Sequence, residues 1–159
     1  GWGTVRMVDV LFRGKREDNG EWVYGFYGQF HNRPKLQEPN SHQIFEPSEH
    51  AYLAGSYIGG FWRIVKPETV GRVLKVKNVQ FCEGDIVEVS VSIHGKKIRG
   101  TVMFGSFFES NEDGYTGFYI NWCTKDYKLY KKSINYWTQL KDFKIIGNIY
   151  DNPELLRED

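Results

Sequence analysis

Cysteine and proline are scarce in this chain, with two and five among 159 residues. A secreted disulfide framework normally shows more cysteines, so Cys82 and Cys123 read as reduced, mostly buried strand residues. No Cys-x-x-Cys occurs, and none of His31, His42, His50 and His94 stands two or four positions from another, so no local zinc signature exists. No apolar run approaches the roughly 18 residues of a membrane span, and no signal-peptide pattern opens the chain. No membrane partner is expected, and the expected compartment is a bacterial cytoplasm. Charge of one sign is also lacking, since 21 basic and 20 acidic side chains leave a net +1. Binding along a phosphate backbone needs several clustered cations, so nucleic acid is not an expected partner without a local patch.

Catalytic signatures are equally thin. Gly55-Ser56-Tyr57-Ile58-Gly59 lacks the Gly-x-Ser-x-Gly spacing of a nucleophile elbow. Gly59-Gly60 runs into Phe61-Trp62, not into the Lys-Ser or Lys-Thr of a phosphate-cradling loop. Glu46, Glu49 and His50 form the one compact acid–histidine group, and a solvated loop accounts for it better than a general base does. The chain therefore reads as a non-enzyme, with no cofactor, no metal site and no catalytic residue.

Aromatic rings and glycine are abundant. Five Trp, ten Tyr and eleven Phe make up 16% of the chain, and there are 17 Gly. That pairing favours strands joined by tight turns over a helical bundle. Period-two patterning supports this, with Val8, Val10 and Phe12 alternating against Asp9, Leu11 and Arg13. Asp18-Asn19-Gly20 closes a hairpin whose return strand puts Trp22, Tyr24 and Phe26 on one face and Val23, Gly25 and Tyr27 on the other. His31 to Pro47 reads as irregular, Ala51 to Ile58 and Phe61 to Val65 as strands, and Lys66 to Gly71 as a turn. Ile86 to Ile93 alternates as a half-buried strand, and His94-Gly95 turns it into Lys97 to Phe104. Asn111 to Gly114 turns the chain into Tyr115 to Thr124. Further strands fill most of Tyr127 to Tyr150, with a helical turn open as an alternative over Lys131 to Trp137. At the end, Ile145-Ile146 reads as buried strand, Asn152 as a helix cap and Pro153 as the first helical position.

Three segments, taken in order, resemble the YopX family of phage and prophage proteins. They are Leu11-Phe12-Arg13-Gly14-Lys15-Arg16 with Asp18 to Gly25, then Glu83-Gly84-Asp85-Ile86-Val87, then Ile145 to Leu156. The resemblance implies a mainly β, compact fold of hairpins, forming a small barrel or twisted sheets, with a short C-terminal helical turn. It also implies a single domain over 7–159, with Met7 as natural initiator and residues 1–6 as an added or extended N-terminus. Between Gly71 and Glu83 the family carries a glycine-rich segment, which here reads Arg72 to Cys82, shorter and without glycine, so a hairpin is expected to be rebuilt there. The motifs themselves have architectural explanations. Gly14 and Gly20 suit turns, Gly84 suits positive φ, and Asn148 and Asn152 suit capping.

Binding is better motivated than catalysis. Arg13, Lys15 and Arg16 stand close in sequence to Trp22 and Tyr24; Trp62 adjoins Arg63; Tyr136 and Trp137 end a stripe that includes Tyr127, Lys128, Tyr130, Lys131 and Lys132. A nucleotide needs such mixtures, because its base stacks, for roughly 1–3 kcal/mol, and its phosphate pairs with Arg or Lys. The plainer alternative makes Trp22, Tyr24 and Phe26 the core face of their strand. Three binding roles follow. The first is a non-catalytic phage or prophage accessory protein, in its sharpest form a counter-defence protein sequestering a host nucleotide-type immune signal. The second is a protein-interaction module that inhibits or recruits a host factor. The third, and weakest, is single-stranded nucleic-acid binding through the Tyr127 to Trp137 stripe. Open strand edges must be covered or paired, so a homo-oligomer is expected.

Overall fold

The computed structural model describes residues 11–31, 41–47, 59–76, 79–90, 95–109, 113–123 and 134–157. The chain divides into two compact units, Gly1–Leu74 and Lys75–Asp159. Strands dominate, in two antiparallel sheets, and no closed barrel forms among the described residues, so the twisted-sheet form of the expected fold is the one adopted.

In the first unit, β1 (Phe12–Lys15), β2 (Trp22–Phe30), β3 (Ser41–Pro47), β4 (Gly60–Ile64) and β5 (Gly71–Val76) lie side by side in the order β4-β3-β2-β1-β5. The β1–β2 hairpin closes as its sequence predicts. Gly20 takes φ +73°, and Asn19 accepts from the Glu21 amide through its side-chain oxygen at 2.9 Å. Pro67–Thr69 forms a short 3-10 turn. Thr69 ties it down, its hydroxyl accepting from the Lys15 amide at 2.9 Å and donating to the Lys66 carbonyl at 2.6 Å.

Register decides which face is buried. Phe12 pairs with Gly25, Tyr27 with Ile44 and Ile44 with Arg63, and residues directly opposite share a face. The core of this unit is Val23, Ile44 and Val65, with Phe12, Tyr27 and Val70 packed on it. The core face of β2 is thus the Val23-Gly25-Tyr27 side. The reading of Trp22, Tyr24 and Phe26 as the core face is corrected: they occupy the opposite side. His42 is absorbed structurally, its Nδ1 hydrogen-bonded to the Tyr27 hydroxyl and its ring stacked on the Tyr27 ring. Two further expectations fail here. Ser41–Pro47 is a strand, not irregular, because Ile44 is fully buried and pins the segment between β2 and β4. Gly14 lies within β1, where an added Cβ would stand 3.1 Å from both Ile44 and Val65, so close packing rather than a turn explains it.

The second unit contains β6 (Val79–Cys82), β7 (Asp85–Ser90), β8 (Lys97–Glu109), β9 (Asp113–Trp122), α1 (Ile134–Thr138) and β10 (Lys144–Asn148). Its sheet runs β10-β7-β8-β9. The segment between Gly71 and Glu83 carries β5 and β6. Lys131 to Trp137 takes the helical alternative in part, since α1 covers its end. The Glu83-Gly84-Asp85 motif is a tight strand connection: Gly84 adopts φ +90°, and the buried Asp85 carboxylate accepts the Cys82 amide at 2.9 Å. β7 departs from its reading as half-buried, because Asp85 through Val89 are all buried, Glu88 included. β10 is less buried than its branched residues imply, with Ile145 exposed and a register shift between Ile145 and Gly147. Asn148 caps as expected, its Oδ1 accepting the amides of Tyr150 at 3.0 Å and Asp151 at 2.9 Å. Asn152 does not cap the 3-10 turn at Pro153–Leu156; its Oδ1 instead accepts the Asn148 amide at 3.3 Å.

An added methyl at Gly25 would meet the Phe45 carbonyl oxygen at 1.8 Å, a clash that only backbone movement relieves. Gly25→Ala is therefore expected to lower stability by about 1–3 kcal/mol, as overpacking typically does. Denaturant unfolding of the variant beside the parent chain measures it, and an unchanged midpoint would refute the β2–β3 register.

Candidate functional site

The expected site residues of the first unit fall into two groups. β1 and β2 place Arg13 opposite Tyr24 and Lys15 opposite Trp22. Arg13 Cζ lies 4.4 Å from the Trp22 ring centroid and Lys15 Nζ 5.4 Å, so both cations sit over one indole. Such contacts are worth about 0.5–2 kcal/mol according to desolvation, and Arg13 is buried at 5% exposure. The same face continues through the cross-strand row Phe26, Phe45 and Trp62. Phe30 meets Trp62 edge-on at 4.8 Å, and Phe45 meets it at 5.3 Å. Trp62 nevertheless remains 46% exposed. Six rings from three strands thus line the side away from the core.

Arg16, Trp62 and Arg63 form the second group, around a shallow depression of about 410 Å³ completed by Glu17, Asp18 and Ile64. The fork of Arg16 is engaged by Asp18, with Nε donating to Oδ1 at 2.9 Å and Nη2 to Oδ2 at 2.6 Å. That hydrogen bond holds the Asp18 carboxyl below its ordinary range and raises the Arg16 guanidinium. Arg63 differs. Its Cζ lies 5.0 Å from the Phe61 ring centroid, and its Nε is buried without a hydrogen-bond partner among the described residues.

Tyr136 and Trp137 belong to the second unit. Trp137 is buried at 4% exposure, its ring packed edge-on against Trp122 at 4.7 Å and Tyr136 at 4.9 Å, which makes it a packing residue there. Tyr136 is exposed. The remainder of that stripe, Tyr127 to Lys132, lies outside the described residues, as do Glu49 and His50. No group of three or more His, Cys, Asp or Glu able to hold a metal occurs among the described residues, and no helix there is long and apolar enough to cross a membrane.

One cluster escaped the sequence reading. Glu88 stands on β7 directly opposite Arg99 of β8 and Lys144 of β10. Arg99 Nε donates to its Oε2 at 2.9 Å, while Lys97 and Lys144 ammonium groups lie 3.6 and 3.7 Å from Oε1. A depression of about 300 Å³ over this row is lined by Glu88, Lys97, Lys141, Asp142, Phe143 and Lys144. Asp142 is itself engaged, accepting the Ser90 amide at 2.8 Å, which holds its carboxyl below the usual range. A lone acid among apolar strand residues was the available signal, but the pairing that surrounds it with cations is set by register.

The model of the family described as YopX protein matches residues 11–157, and the chain belongs to that family. No curated protein and no solved structure matches it.

The hydrogen bond from Arg99 is the main cause holding the Glu88 carboxyl below its ordinary value, reinforced by the charges of Arg99, Lys97 and Lys144. The unfolded chain then binds the proton more readily, so this contribution is complete above the unfolded value of about 4.3 and disappears as pH falls through the lower folded one. Glu88→Gln is expected to destabilise the chain at pH 7 and to flatten the fall in stability below about pH 4.3. Unfolding midpoints measured from pH 7 to pH 2.5 test this, and identical acid limbs in both proteins would contradict it.

Proposed function

We propose that this member of the YopX family is a non-catalytic accessory protein of phage or prophage that acts by binding. The observation carrying the proposal is the ring-lined face of the first unit, where Trp22, Tyr24, Phe26, Phe30, Phe45 and Trp62 share the side opposite the core. Burying apolar rings on both sides of one sheet exceeds what its own small core requires, and half-exposed Trp and Tyr are the residues most enriched where proteins meet ligands. In its sharpest form the protein works in counter-defence, in the host cytoplasm, by sequestering a nucleotide-type immune signal. A base would stack on the exposed ring of Trp62. Calorimetry or native mass spectrometry against cyclic and ADP-ribose-derived nucleotides tests this form. Binding that Trp62→Ala weakens at least tenfold is expected, with the far-ultraviolet spectrum unchanged. Silence across the whole panel would remove the sequestration form.

A second reading draws on a different feature. Trp62 and Ile64 are exposed at 46% and 48% on the same face of one short strand, and the guanidinium of Arg16 in the adjoining depression is occupied by Asp18. A paired, apolar surface of this kind suits a protein partner better than a phosphate. Capture of one host protein in stoichiometric amount, lost on Trp62→Ala, would favour that reading. Self-association is part of either proposal. Light scattering is expected to give a multiple of the 18.6 kDa chain mass, and the monomer mass would contradict it.

A further inference from the structure

Beyond the ring-lined face, the second unit carries a separate cationic depression over Glu88. Lys97, Arg99 and Lys144 converge on one buried carboxylate whose side chain is only 9% exposed. With Lys141 they set four cations against two acids, Glu88 and Asp142, and the three lysines and both acids line the same opening. Both acids are committed elsewhere. Glu88 is held by Arg99 at 2.9 Å, and Asp142 by the Ser90 amide. Arg99 is committed too, donating to Glu88 and, through Nη1, to the Leu155 carbonyl at 3.1 Å.

The lysines retain donor capacity. Each ammonium carries three N–H donors, and the contacts of Lys97 and Lys144 with Glu88, at 3.6 and 3.7 Å, are longer than hydrogen bonds. Both side chains remain more than half exposed, at 56% and 57%. Glu88 therefore acts as a buried anchor that gathers positive charge at the rim, offsetting part of it while leaving the lysine N–H donors available. Phe143 lines the depression and packs its ring against Phe81 at 5.6 Å, which gives the opening an apolar wall.

We propose that this depression binds a small molecule bearing two or more phosphates, held by Lys97, Lys141 and Lys144 above the Glu88 anchor. Adjacent phosphates supply the charge density that three ammonium groups match. A depression of about 300 Å³ suits a compact ligand better than a polymer that would need a continuous basic track. The site is built from residues of the second unit alone and does not depend on the role proposed for the ring-lined face.

Titration calorimetry of the full chain with inorganic pyrophosphate tests the proposal. Saturable binding is expected that the Lys97→Met, Lys144→Met pair weakens at least tenfold and Trp62→Ala leaves unchanged. Glu88→Gln provides the discriminating arm, because removing the anchor charge frees the rim cations and is expected to tighten pyrophosphate binding severalfold. A purely structural ion cluster would show no binding in any variant, and that result overturns the proposal. Binding that survives the double lysine variant overturns it as well. So does preferential binding of a single-stranded oligonucleotide, competed away only weakly by pyrophosphate.

Discussion

Side-chain parity on β2, locked by its pairing with β1 and β3, is the constraint on which the first unit rests. Successive residues of a strand point to opposite faces, so moving the pairing by one position would exchange every buried side chain for an exposed one. Ile44 settles the choice. It is fully buried, stands opposite Tyr27 and Arg63, and packs so closely on Gly14 that an added Cβ would stand 3.1 Å from its Cδ1. Once Ile44 faces inward, Val23 and Val65 join it, and Trp22, Tyr24, Phe26, Phe45 and Trp62 must face the other way. The ring-lined face is therefore a consequence of how the core is packed.

The second unit uses the same cross-strand geometry for charge. β7 lies between β8 and β10, and the position of Glu88 aligns with Arg99 on one side and Lys144 on the other. A buried carboxylate is costly unless it is paired and hydrogen-bonded, and this one has three cations. The arrangement satisfies the acid and at the same time concentrates lysines at one opening.

The family motifs are mostly joints. Glu83-Gly84-Asp85 makes a tight connection in which Asp85 accepts the Cys82 amide and Gly84 provides the positive φ. Gly147, Asn148 and Asn152 form a small interlocked unit, since an added Cβ at Gly147 would stand 2.6 Å from Asn152 Oδ1. Leu-Phe-Arg-Gly-Lys supplies β1, with Phe12 toward the core and Arg13 over Trp22. These residues hold joints of the fold, while the residues of the proposed binding surfaces, such as Trp62, Lys97 and Lys144, lie outside the motifs.

The amino-acid sequence by itself determined the class of the fold, the β1–β2 hairpin, the Gly84 connection and the Asn148 cap, because each follows from local geometry. Asn-Gly tolerates positive φ, alternating residues make strands, and an asparagine reaches its own neighbouring amides. Only the tertiary structure decided the inward face of β2, the strand status of Ser41–Pro47, the burial of Trp137 and the clustering of Lys97, Arg99 and Lys144 around Glu88. Each of these rests on contacts between residues distant along the chain, where alternation leaves two faces equally legible. Long-range pairing chooses between them.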